Sequence, residues 1–153
     1  MKTEFMLKAL IEAKKAYLKN EVPIGAIIVK DGKVIAKAHN KRQTKKLATA
    51  HAEILAIQKA CKKIKDWRLS GCDIYVTLEP CPMCIGAIMN ARMRNVIFGA
   101  YETTSKTDLL NLIVNDKRLN HTLDIEGGVL ENECSELLKQ YFKDKRKASK
   151  YKK

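Results

Sequence analysis

A chain of 153 residues, 46% hydrophobic and 31% charged, is long enough to bury a core without covalent staples. Its five cysteines are odd in number and sparse, which excludes a disulfide framework as the organising device and suits a reducing compartment. The net charge of +13 invites a polyanion such as nucleic acid. However, 24 of the 30 basic residues are lysines spread from Lys2 to Lys153, so the informative charge is the crowded end, KQYFKDKRKASKYKK.

The first residues, MKTEFMLKAL, lack the apolar block and small-residue cleavage pattern of a signal peptide. No apolar run approaches the roughly 18 residues of a membrane span. The expectation is a cytoplasmic protein folded as one domain over residues 1–153, with a basic helix and tail from about 131.

In chain order, Met6, Ala9, Leu10, Ala13, Ala16 and Tyr17 recur at helical spacing and predict a helix over 3–18. IGAIIVKDGKVIAKA gives two β-rich runs around Asp31-Gly32, a strong hairpin signal. The polar loop HNKRQTKKLAT leads to a second helix over about 50–64, and CDIYVTL predicts a third strand. Pro80 and Pro82 stand where a helix can begin, and NVIFGA is a fourth strand. Strand, helix and strand within about 30 residues suggest a right-handed βαβ unit with parallel strands. LDIEGGVL is ambiguous because Gly127-Gly128 interrupts it, whereas ENECSELLKQYFKDKR is a final helix. The sum is an α/β fold, one mixed sheet covered by helices on both faces.

Chemistry concentrates in EPCPMC, Glu79 to Cys84. Two cysteines two residues apart admit a redox pair, half of a structural zinc site, or two ligands of a catalytic metal. His51 and Glu53, in TAHAEILA at the start of the second helix, favour the last. His51, Cys81 and Cys84 can converge from two helix N-termini, where the dipole lowers thiol pKa values and favours neutral imidazole. Three such ligands suit zinc and leave a fourth position for water, and Cys61, Cys72 and Cys134 offer no spacing that would close the site. Glu53, two residues from a ligand, can reach that water as a proton shuttle without binding the metal.

HAE followed by PCPMC resembles the signature of the zinc-dependent cytidine and nucleobase deaminases. The resemblance extends through EVPIGAIIVKDGKVIA, His39-Asn40, RLSGCDIYVTLEPCPMC and LNH…EGGVLENECSELLKQYFKDKR, nearly the whole chain. Most similar are the bacterial tRNA adenosine deaminases, which form inosine at the wobble position of an anticodon. That resemblance implies a cytidine deaminase-like three-layer α/β/α sandwich with a five-stranded mixed sheet, one Zn²⁺ per subunit on His51, Cys81 and Cys84, and Glu53 as general acid/base. It also implies that Asn40, Pro23 and Ile24 hold the extruded nucleoside, that the protein is a homodimer, and that its partner is a tRNA anticodon stem-loop.

The sequence departs from the family at Leu47-Ala48, where Asp-Pro is common, and in the loop Tyr101 to Lys106 on the substrate side, where Glu102 stands for an Asp. Lys143, Lys145, Arg146 and Lys147 are the expected RNA backbone contacts. Tyr141 and Phe142 suit base stacking and core packing equally. Arg92 and Arg94 fit a dimer interface or RNA, His121 a structural hydrogen bond, and Trp67 the packed interior. The competing readings are a small-molecule deaminase of guanine or cytosine type and a zinc-stabilised RNA-binding module without catalysis.

Overall fold

A computed structural model describes residues 1–102 and 108–150, so most of the Tyr101–Lys106 loop lies outside the described residues. Its elements are α1 (Lys2–Leu18), β1 (Gly25–Lys30), β2 (Lys33–His39), α2 (Arg42–Lys45), α3 (Ala52–Ile64), β3 (Cys72–Leu78), α4 (Pro82–Asn90), β4 (Asn95–Ala100), α5 (Asp108–Val114), β5 (Asp124–Glu126) and α6 (Glu131–Lys150).

The sheet runs β2-β1-β3-β4-β5. β1 pairs antiparallel with β2 and β3, and β4 pairs parallel with β3 and β5. The hairpin closes through Asp31 and Gly32, with φ of 51° and 75°, the positive pair that a two-residue turn of this hand demands. Period-two alternation then sends side chains to opposite faces. Ala26, Ile28, Ile74, Val76, Val96 and Phe98 meet α3, α4 and α5 on one side. Ile27, Val29, Tyr75, Ile97 and Ala100 meet α1 and α6 on the other.

α1 lies directly on β1: a Cβ at Gly25 would stand 2.1 Å from the Ala9 carbonyl oxygen and 2.5 Å from the Ala13 nitrogen. Glycine is therefore required there for the close approach of helix to strand.

Two features depart from the sequence reading, and a third settles a point it left open. α5 was not predicted, because DLLNLIV is a nearly continuous apolar run that periodicity alone does not assign. LDIEGGVL resolves into a three-residue strand whose Asp124–Glu126 extends the parallel half of the sheet. Trp67 is not packed inside: it is 57% exposed in the turn after α3, with the Arg68 guanidinium 5.0 Å over its ring, while Leu69 fills the core instead. No described helix is long and apolar enough to cross a membrane.

Candidate active site

The parallel strands deliver the chemistry. β3 ends at Leu78, and Glu79-Pro80 carries the chain to Cys81, which caps α4 with extended backbone (φ −72°, ψ 169°) ahead of Pro82 in the first turn. Proline fits there because its missing N–H has no helical partner to lose. His51 caps α3 in the same way (φ −75°, ψ 151°). Cys84 follows one turn into α4. This places ligands outside the carboxyl end of a parallel pair, where open α/β sheets form their clefts.

His51 Nδ1 lies 3.7 Å from Cys81 Sγ and 3.5 Å from Cys84 Sγ. One ligand atom from each of the three residues lies within 4.8 Å of the others. Zinc with Zn–S near 2.3 Å and Zn–N near 2.0–2.1 Å in tetrahedral geometry requires an N···S separation of about 3.6 Å. Donor set and spacing therefore both fit zinc, and among the described residues these three form the group able to hold a metal ion.

Cys81 is held down to about 5 by the hydrogen bond from the Cys84 thiol, against burial and with help from backbone N–H groups of Cys84 and Met83. Cys84 is raised by that same bond and by burial. Cys81 and Cys84 would hold a divalent cation as thiolates, with the thiol protons released on binding.

Glu53, one position inside the start of α3, is 4% exposed. Burial pushes its carboxyl up to about 7; its own backbone N–H opposes this, while the Cys81 charge adds to it.

His51, Glu53 and Cys81 face a cavity of about 760 Å³, within the range of nucleotide-sized ligand sites. Ile24 lines it, as does Glu102, whose backbone N–H donates to Glu79 Oε1 at 3.1 Å. Pro23 and Asn40 do not line it. Asn40 is buried behind the wall, its side chain donating to the Val22 carbonyl at 3.4 Å and accepting from the Arg42 N–H at 3.2 Å; Val22 and Arg42 reach the cavity in its place.

Of the expected RNA contacts, Arg146 lines the cavity with Phe142, whereas Lys143, Lys145 and Lys147 do not. Lys145 instead lies 5.6 Å over the Tyr141 ring. Tyr141 is buried, as a core residue would be, and Phe142 is 46% exposed. Arg94 pairs with Asp73 at 2.9 Å, Arg92 donates to the Met89 carbonyl, and His121 Nε2 bonds the Met93 carbonyl at 2.6 Å. Sequence reasoning missed the α5 wall, Leu109, Leu110 and Ile113, and the rim residues Arg42 and Lys139. The apolar run of α5 was the signal available for the first; a lone arginine in a polar loop gave none for the second.

The model of the MafB19-like deaminases matches residues 1–146. A tRNA-specific adenosine deaminase of Bacillus subtilis is 47% identical over 95% of this chain and 91% of its own length. One of Aquifex aeolicus is 48% identical over 94% of this chain and 95% of its own. A solved structure from work on tRNA:A34 deaminases, which edit A to I at the wobble position of transfer RNA, matches with a TM-score of 0.82 and 41% identity, over 89% of this chain and 99% of that one. The chain thus belongs to the deaminases and, among them, to the family of the tRNA-specific adenosine deaminases.

Proposed function

We propose that this protein hydrolyses adenosine to inosine at the wobble position of a tRNA anticodon, releasing ammonia. The observation that carries this reading is the buried Glu53 carboxyl beside the His51, Cys81 and Cys84 convergence, on the wall of a cavity large enough for an extruded base. His51, Cys81 and Cys84 would hold one zinc ion. Bound there, zinc supplies the Lewis acidity that makes water nucleophilic near neutral pH.

The remaining work falls to protein side chains. An exocyclic amine is a poor leaving group on an aromatic ring, so addition must precede departure. Glu53 takes a proton from the attacking water and passes it to adenine N1 as oxygen bonds to C6; it then takes the second proton from the new C6 hydroxyl and gives it to the amine, so that C6=O forms as the C–N bond breaks and ammonia leaves. Adenosine and water thereby become inosine and ammonia. The apolar wall of Leu78, Leu109, Leu110 and Ile113 keeps bulk water from the ring. Ile24 and Glu102 border the nucleoside, and Asn40 holds that border from behind through the Val22 carbonyl. An anticodon loop suits this cavity because an unpaired base costs least to extrude.

In this reading the whole chain is one cytoplasmic deaminase domain acting as a homodimer, with Arg146 and the neighbouring lysines of α6 on the RNA backbone. The test is to incubate zinc-loaded protein separately with an anticodon stem-loop containing wobble adenosine, with guanine and with cytidine. Inosine in the stem-loop is the expected result. Activity on guanine alone would replace the RNA substrate with a free base.

A further inference from the structure

The chain has six arginines, and four of them are engaged within the protein. Arg68 pairs with Asp66, Arg94 with Asp73, Arg118 with Asp116, and Arg92 donates to the Met89 carbonyl. The side chains of the other two, Arg42 and Arg146, make no hydrogen bond or ion pair among the described residues, and both line the cavity.

Arg42 owes its place to a buried carboxylate. It opens α2, a helix of four residues, far too short to be stable by itself. Its N-cap, Lys41, makes no side-chain capping bond. Glu21, 1% exposed, supplies the cap from across the fold: its carboxylate accepts from the Gln43 N–H at 3.1 Å, the Thr44 N–H at 2.6 Å and the Thr44 hydroxyl at 2.6 Å. Asn40 adds the bond to the Arg42 N–H. Three donors from one turn satisfy this buried carboxylate and hold the turn to it, which fixes the backbone from which Arg42 leaves the wall. A guanidinium matches phosphate oxygens with paired N–H donors, and such a contact is strongest where it replaces no protein partner.

We infer that Arg42, oriented by Glu21, grips a backbone phosphate of the RNA beside the extruded base, which makes it a determinant of RNA over free nucleoside; the inference rests on the RNA reading above. Arg42 touches substrate, and Glu21 is a positioning residue that acts through it.

The experiment measures inosine formation in the wobble-adenosine stem-loop by zinc-loaded Arg42→Gln, Arg42→Lys and Glu21→Gln over a range of salt concentrations. Lys33→Gln, a charge removed at the distant hairpin turn, serves as the control. Arg42→Gln should raise KM about 5- to 10-fold with kcat within about twofold, and should make the dependence of log KM on log salt shallower by about 0.7, the value of one phosphate on a single strand. Arg42→Lys should restore the salt slope and part of the affinity. Glu21→Gln should raise KM in the same direction without altering zinc content. KM and salt slope unchanged in Arg42→Gln, or shifted equally in Lys33→Gln, would overturn the inference. No inosine from the unaltered protein would overturn the RNA reading and this inference with it.

Discussion

His51 Nδ1 stands 3.5 Å from Cys84 Sγ, although the two residues are 33 positions apart and belong to different helices. Both helices begin at the same edge of the sheet, and both begin with a ligand. If that convergence is a metal site, either residue is indispensable to it. His51→Ala or Cys84→Ala should reduce bound zinc from about one per chain to less than about 0.2, measured by inductively coupled plasma mass spectrometry on the purified variants. Cys134→Ala, a buried cysteine away from the group, should keep its zinc.

That pairing was legible in the sequence because its signals are local. A strand that ends in a Pro-Cys-Pro turn and a histidine at a helix start each announce a helix N-terminus, and a βαβ unit brings such ends together. The Asp31-Gly32 hairpin was legible for the same reason. Glu21 and Arg42 were not: one turn of helix is capped by a carboxylate about 22 residues upstream, and no pattern along the chain marks such a pair. Pro23 and Asn40 were identified by resemblance, but neither lines the cavity; Asn40 bonds Val22 and Arg42, which do. Trp67 was misplaced because a large apolar ring suggests burial, whereas here it stays 57% exposed beneath the Arg68 guanidinium.

Adjacent aromatics on α6 should respond in opposite ways. Tyr141 is 7% exposed, stacks edge-on with Tyr17 at 5.8 Å and donates to the Asn20 carbonyl at 3.2 Å. Tyr141→Ala should cost about 2–4 kcal/mol of stability in denaturant titration, through the cavity it leaves. Phe142→Ala should leave stability within about 1 kcal/mol but raise KM for the stem-loop about 5- to 100-fold, the usual loss of a base-stacking platform.

Glu21 carries a pH dependence whose sign follows from its partners. Burial alone would raise its carboxyl, but the hydrogen bonds from Thr44 and Gln43 outweigh burial and hold it below its ordinary value of 4.5. A carboxyl depressed in the folded state contributes stability that is fully present above its unfolded pKa and is lost as pH falls through the folded one. Glu21→Gln should therefore melt below the unaltered protein at pH 7, by about 1–3 kcal/mol for a buried charged acceptor removed. The difference should narrow once pH falls below about 4.5. Thermal melts of both proteins between pH 3 and 7 check the narrowing.

Glu53 is the residue on which the catalytic account turns. Its carboxyl is buried beside the three ligand residues and raised to about 7, the range in which a group can both accept and return a proton. The direct measurement is inosine formation by Glu53→Gln at saturating wobble-adenosine stem-loop, with zinc content and thermal melting recorded on the same preparation. The account predicts a loss of about 10²- to 10⁴-fold in kcat, with zinc retained and the fold intact. Inosine released at the unaltered rate by a zinc-loaded Glu53→Gln protein would contradict it.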